Sequence, residues 1–298
     1  MSDTWDEPLV RRLAGTRDRS ATQAQIERIA DRWRADTGQT AFPVAVFALA
    51  SAHGIRVRRS RAHPFAGRIY ADGDRIVIDV NAADSEERQR FTCAHELMHT
   101  AFPGFSRERR YRVDRDLEDG LFARGRAEEE LLCDLGAAAL LMPRDLLGPF
   151  LDGGPLEAVE TLARSAVVSL EAAANRLVRL RPGPGVFLVL ERLHAPADRR
   201  RARRGEPSSP ELRVRYAVAS GSRAWVPRFA AAGEDSVFAR AAASRRVERR
   251  EEALPGASGG SWTIEAKAYP RRGSMRILAM AERAAAVPAA PIDTVGTR

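Results

Sequence analysis

The stretch RQRFTCAHELMHTAF (residues 88–102) sets two histidines four residues apart, with a glutamate directly after the first. On a helix, positions i and i+4 lie one turn apart on the same face, so His95 and His99 can aim two imidazole nitrogens at one ion. Zinc takes tetrahedral N, O or S ligands and keeps one position open when it catalyses, so the pair needs one further protein ligand. Glu96 is turned by about 100° from His95 and stands beside the ligand pair, not beneath it. A carboxylate there can take a proton from an attacking water and pass it to a leaving amine, which is the chemistry HExxH serves in peptide hydrolysis. The chain has five histidines in 298 residues, and at that frequency the pattern arises by accident in roughly one such chain in a hundred. The two histidines therefore read as a site.

Candidates for the missing ligand open the helical stretch AEEELLCDLGAAALLM (127–142). Glu128, Glu129 and Glu130 are consecutive, each turned about 100° from the next, and periodicity alone does not choose among them. Gly136, Ala137, Ala138 and Ala139 give this helix a smooth face that can approach the HELMH helix closely. Phe91, Ala94, Met98 and Phe102 form the core-packing stripe of the HELMH helix itself. Cys93 falls on the side away from the histidines, and Cys133 shares the glutamates' helix. Both cysteines read as small buried hydrophobes rather than redox groups. His53, His63 and His194 stand without ligand spacing.

Several elements must hold these residues in place. Residues 1–20 lack periodicity and are expected to fray. Ile26, Ile29, Ala30 and Trp33 recur at helical spacing within 21–35, and PVAVFALASAH (43–53) is a second helix stopped by Gly54. IRVRRS (55–60), GRIYADG (67–73) and DRIVIDVN (74–81) alternate apolar and polar residues, with a hairpin turn at Ala71-Asp72-Gly73-Asp74. A small, mostly antiparallel sheet is expected. Asp84 or Ser85, followed by Glu86 and Glu87, is a good start for the HELMH helix, which must end before Pro103. Residues 104–126 read as a long charged loop, and LEAVETLARS (156–165) and SLEAAANRLVRL (169–180) as short helices. RPGPG (181–185) marks a boundary. Beyond it VFLVLERL, ELRVRYAVAS, SWTIEAKAYP and MRILAMAER alternate like strands, with a helical stretch near 236–250 and an Ala/Pro tail (285–298) expected to be disordered.

The composition, 44% hydrophobic and 30% charged, is that of a globular protein able to bury one large core or two modest ones. MSDTWDEPLVRRLAG has no apolar core of a signal peptide, and LGAAALLM (135–142) is too short to span a bilayer. Two cysteines make no disulfide framework, so a cytoplasmic location without membrane attachment is expected. Lys267 is the only lysine, so 47 of the 48 basic residues behind the net charge of +8 are arginine. That is a chain-wide bias rather than one basic patch, although DRRRARR (198–204) would attract phosphate.

ERQRFTCAHELMHTAF followed by ELLCDLGAAALLMP resembles the ImmA/IrrE family of bacterial metallopeptidases, in particular its IrrE (PprI) branch. In that family the third ligand is the glutamate twelve residues before the methionine of the terminal LMP; counted back from Met142, this is Glu130. The resemblance implies an α+β chain with three parts: a zincin-like metallopeptidase domain with a small antiparallel sheet (21–145), a helix-turn-helix-like helical segment (146–181) and a GAF-like α+β domain (185–284). It implies Zn2+, with Mn2+ as a possible activating metal, on His95, His99 and Glu130, and Glu96 as the general base. The implied substrate is a helix-turn-helix (XRE-type) transcriptional repressor, cut to switch on a stress or DNA-damage response. Tyr70, Tyr111 and nearby arginines are candidates for stabilising the oxyanion. Direct DNA binding through Asn175, Arg176 and Arg179 is the weaker expectation. The alternative from another class is a DNA- or ligand-binding regulator with a non-catalytic zinc site.

Overall fold

Strand β3 (Arg75–Asn81) buries Val77, Ile78, Asp79 and Val80 and takes an interior place in a sheet of four. The computed structural model describes residues 7–61, 64–103, 105, 110–112, 127–195, 198, 204–205, 209–221, 224–257, 260–271 and 273–283. Two compact units divide the chain: Met1–Gly153 with Glu157–Arg176, and Gly154–Leu156 with Leu177–Arg298. The segment 146–181 is thus no unit of its own, and most of it belongs with the first.

In the first unit, β1 (Ile55–Ser60), β2 (Gly67–Asp72), β3 and β4 (Arg110–Arg112) lie in the order β1-β3-β2-β4. The expected hairpin joins β2 to β3, with Asp72 opposite Arg75 and Gly73 at φ 61° in the turn. The sheet is mostly antiparallel, as expected; the exception is β1, which pairs parallel to β3, Ile55 opposite Ile76. The three strands run up, down and up. The apolar β3 is drawn between the other two, which leaves the arginine-rich β1 at an edge beside a strand of its own direction.

Helix α1 (Pro8–Ala14) forms within the stretch expected to fray; α2 (Arg19–Asp36) is the helix expected over 21–35, and α3 (Val46–Ala52) follows. Pro8 at the first helical position and Gly15 at the C-terminal stop, φ 66°, delimit α1. Seven residues were too few to show an apolar period, but Val10 is fully buried beside Ile26, Met98, Phe102 and Leu132. Helix α4 (Glu86–His99) begins where its capping residues predict: Ser85 accepts from the Arg88 N–H, and Glu86 and Glu87 fill the first turn.

Helix α5 (Ala127–Leu141) packs on α4 and α2 through the anticipated small-residue face. A Cβ on Gly136 would lie 2.5 Å from Met98 Cε and 3.0 Å from Ile26 Cγ2, so a side chain there would require Met98 to shift. Beyond it lie α6 (Pro155–Ala166) and α7 (Leu170–Leu180), joined through Val167 at φ 51°, an unusual conformation for a β-branched residue. The guanidinium of the buried Arg90, on α4, holds that turn. It donates to Val167 O (3.1 Å), Ala166 O (3.2 Å) and Val44 O (2.9 Å). Arg176, read from the sequence as a contact to DNA, is buried instead: it donates to Met142 O at 3.0 Å and pairs with Glu27.

The second unit is a five-stranded antiparallel sheet of β5 (Gly185–Leu193), β6 (Glu211–Ser220), β7 (Glu248–Ala253), β8 (Ser261–Arg271) and β9 (Ser274–Glu282), in the order β6-β5-β9-β8-β7. Helix α8 (Val237–Ser244) covers one face, setting Val237, Phe238 and Ala241 among Leu188, Ile264 and Ala279. It stops at Arg245, φ 58°, well short of the expected helical stretch, and ERREEA (248–253) is an edge strand. Charged at five of its six positions, that strand carries no apolar alternation to announce it, and such charge is how exposed edges avoid pairing with other chains. On the other face Glu191 accepts from Arg215 and Arg276, each at 2.8 Å.

Arg90→Met keeps an apolar stem but takes the guanidinium donor from the Val167 and Ala166 carbonyls, while Val44 O keeps the Val46 N–H. A loss of about 3 kcal/mol is expected, read as a lower urea midpoint with the far-ultraviolet spectrum of the native protein unchanged. A midpoint equal to wild type would show that the turn at Val167 is held by packing alone.

Candidate metal centre

His95 and His99 lie on one face of α4, 1% and 3% exposed, with ring centroids 5.0 Å apart and planes at 75°. The first turns of α5 face them. The Glu130 carboxylate reaches both rings on the same side: Oε2 is 3.1 Å from His95 Nε2 and Oε1 is 3.6 Å from His99 Nε2. Two ligands of one tetrahedral zinc, each about 2.1 Å from the ion, stand roughly 3.4 Å apart. Each Nε2 thus meets a different oxygen of Glu130 at a separation near that value.

The other ring nitrogens are taken from behind. His95 Nδ1 is 2.8 Å from Asp134 Oδ1, and His99 Nδ1 is 3.0 Å from Oε1 of the fully buried Glu129. A carboxylate on Nδ1 holds the proton there, which leaves the Nε2 lone pair for a metal and fixes the ring's orientation. The consecutive glutamates thus separate by helical phase. Glu130 meets both Nε2 atoms, Glu129 meets His99 Nδ1, and Glu128 accepts from the Glu7 N–H at 2.8 Å. Burial pushes the Glu130 carboxyl up, but its hydrogen bond with His95 and the charges of His95 and His99 outweigh that, so it titrates below its ordinary value despite Asp134 nearby. An anionic oxygen donor with two imidazoles suits zinc or manganese.

Cys133 offers a second donor set, because ligand atoms of His95, His99 and Cys133 lie within 4.8 Å of one another. Its Sγ approaches His99 from the Nδ1 side, at 3.4 Å, where Glu129 already sits. From the sequence Cys133 reads as a small buried hydrophobe; the fold brings it behind His99. Asp134 was likewise unremarked, although its i+4 spacing from Glu130 places it on the same face.

Glu96 is fully buried and lies where β2 meets α4. A Cβ on Gly67 would be 3.7 Å from Glu96 Cγ and 2.2 Å from Thr92 Cγ2, so the start of β2 runs flush against the helix. Burial and Glu96 push the Cys93 thiol up to about 12, against Arg59 and Arg90, which keeps it protonated and inert. Tyr70 follows Ile69 and lies on the opposite side of β2 from Gly67, between Arg68 (4.7 Å) and Arg58 (5.6 Å to the ring centroid), so it has no place at this centre. The side chain of Tyr111 and all of His63 lie outside the described residues. His53 stacks on Trp33, centroids 5.1 Å apart.

Residues 50–178 match the IrrE N-terminal-like domain of peptidases. The radiation response metalloprotease IrrE of Deinococcus deserti is 33% identical over 213 residues, which cover 67% of this chain and 69% of that protein. This chain belongs to the IrrE family. The radiation response metalloprotease IrrE of Deinococcus radiodurans is also 33% identical, over 218 residues; these cover 69% of this chain but 63% of the relative's length. A Mycobacterium tuberculosis transcriptional regulator of known structure shares the fold, with a TM-score of 0.54, covering 86% of this chain and 87% of that one at 17% identity. The matched domain lies almost wholly in the first unit, as do His95 and His99.

The two donor sets give different outcomes. Glu130→Ala is expected to abolish stoichiometric uptake of zinc by the metal-free protein, measured by elemental analysis after gel filtration. Cys133→Ser should keep stoichiometric uptake, since it changes a contact behind His99 and not a donor. Loss of uptake in Cys133→Ser alone would assign the metal to the thiolate set.

Proposed function

We propose that this chain is a metal-dependent endopeptidase in which His95, His99 and Glu130 hold zinc or manganese and Glu96 moves the proton. The observation that carries the reading is the meeting of both Nε2 atoms with one carboxylate while both Nδ1 atoms are anchored. When bound, the ion supplies a Lewis acid that makes water nucleophilic at neutral pH and polarises a peptide carbonyl. Glu96, one residue from His95 and off the ligand line, takes the proton of the attacking water and returns it to the departing amine. Asp134 and Glu129 keep the two rings from turning during this exchange.

The supported substrate is a protein, and the family resemblance makes it a helix-turn-helix (XRE-type) repressor whose cleavage switches on a stress response. A repressor suits the chemistry. One cut that removes its dimer contacts weakens DNA binding without full degradation. His95, Glu96 and His99 are all buried, so a substrate must offer an extended segment to the centre rather than a folded surface. Such a segment bonds through its backbone to a sheet edge, and the edge on the β2 side belongs to β4. Among the described residues no helix is long and apolar enough to cross a membrane; a cytoplasmic location, where a repressor works, belongs to the same proposal. The DNA-binding alternative loses Arg176, which is spent on Glu27 and Met142.

Glu96→Gln keeps shape and hydrogen bonding but accepts no proton at neutral pH. With manganese or zinc, and with the helix-turn-helix protein encoded nearest to this chain, the variant should bind metal and repressor as wild type does. Cleavage should fall by at least about a thousandfold. Equal cleavage by both proteins would remove Glu96 from the mechanism. Absence of cleavage by wild type, together with its own tight binding to promoter DNA, would favour a regulator.

A further inference from the structure

Helix α5 begins Ala127-Glu128-Glu129-Glu130, and none of the six residues before it, LFARGR (121–126), is serine, threonine, aspartate or asparagine. None of these six has a side chain of the kind that commonly accepts a helix's first N–H groups. The acceptor comes from the far end of the sequence. Glu7 Oε1 accepts from the Glu128 N–H at 3.0 Å and Glu7 Oε2 from the Glu129 N–H at 3.1 Å, while the Glu7 N–H donates to Glu128 Oε2 at 2.8 Å. This is the reciprocal pattern of a capping box, made by two segments 121 residues apart.

Glu7 is no loose tail. Its backbone caps α1, with the Arg11 N–H donating to Glu7 O at 3.1 Å, and α1 is pinned by the fully buried Val10. One residue therefore starts two helices, α1 through its carbonyl and α5 through its side chain. A carboxylate beside three other acids is costly in itself. The aligned N–H groups at the start of α5 offset that cost.

We infer that Glu7 is a positioning residue of the metal centre, acting through Glu129 and Glu130. The inference rests on the proposal that Glu130 is a ligand. One amide that Glu7 holds belongs to Glu129, whose carboxylate orients His99; the next residue is Glu130. An uncapped first turn frays, and metal ligands tolerate displacements of only about 0.2 Å. Glu7 thus fixes the one stretch of α5 in which a small backbone shift moves both a ligand and the partner of another.

The test uses the full-length, metal-free chain and Co2+ alone, with affinity read by chelator competition and ligand geometry by the visible absorption of the bound ion. Glu7→Ala is expected to weaken Co2+ binding by about tenfold and to alter the visible bands, the size of effect seen when a partner of a ligand is removed. Glu7→Gln, which keeps one accepting oxygen, should fall between Glu7→Ala and wild type, and it carries the test if the alanine variant does not fold. Glu130→Ala should lose Co2+ altogether. Wild-type affinity and spectrum in the Glu7 variants, with only the melting temperature lowered, would overturn the inference and leave Glu7 a structural cap. Wild-type Co2+ binding by Glu130→Ala would overturn the metal assignment itself, and the role of Glu7 with it.

Discussion

At Gly136 helix α5 has no side chain, and Met98 and Ile26 fill the space a Cβ would need. That close approach sets the distance between the face of α4 that carries His95 and His99 and the turns of α5 that carry Glu129, Glu130 and Asp134. A side chain there would have to displace Met98 or Ile26, and any parting of the two helices would carry the facing groups with it. The centre is thus built from a void in one helix filled by a flexible methionine from the other. Gly67 plays the same part on the opposite flank, letting β2 lie against Thr92 and Glu96.

Around two imidazoles the fold gathers an unusual density of acids: Glu96 and Glu129 fully buried, with Glu130 and Asp134 beside them. Buried carboxylates need partners or a cation. Each imidazole supplies one partner on its Nδ1 side, and the side where both Nε2 atoms face Glu130 is where a divalent cation would compensate most charge. The same electrostatics explains why Cys93 is harmless so close by. A thiolate there would add another anion, and its burial already prevents ionisation.

The sequence displayed the parts that depend on local rules. HELMH, the Ser85 start of α4, the turn at Gly73 and the small face of α5 follow from spacing and residue type, and all are where those rules put them. Periodicity left Glu128, Glu129 and Glu130 equivalent, and family resemblance alone singled out Glu130; the structure sets its carboxylate against both Nε2 atoms. What stayed hidden depends on distant partners. The parallel pairing of β1 is decided by which strand is most apolar, not by β1 itself. The charged β7 has no pattern to read. Arg176 looked exposed until Glu27 and Met142 were brought to it, and Glu7 sat in a stretch that lacks any period.

The triplet of glutamates has a consequence for how this centre tolerates insertions and deletions. With Gly136 locked against Met98, loss of Leu131 would advance the preceding residues by one helical step. Glu129 would then enter the place of Glu130, and Glu128 that of Glu129, so both histidines would still face carboxylates. An insertion at the same point moves the run the other way and brings the inserted residue to the Nε2 side. The repeat therefore buffers the centre against slippage in one direction only. The Glu7 carboxylate would still meet backbone N–H groups, now those of Ala127 and Glu128, and the bond such a slip would break is the one from the Glu7 N–H to the Glu128 carboxylate.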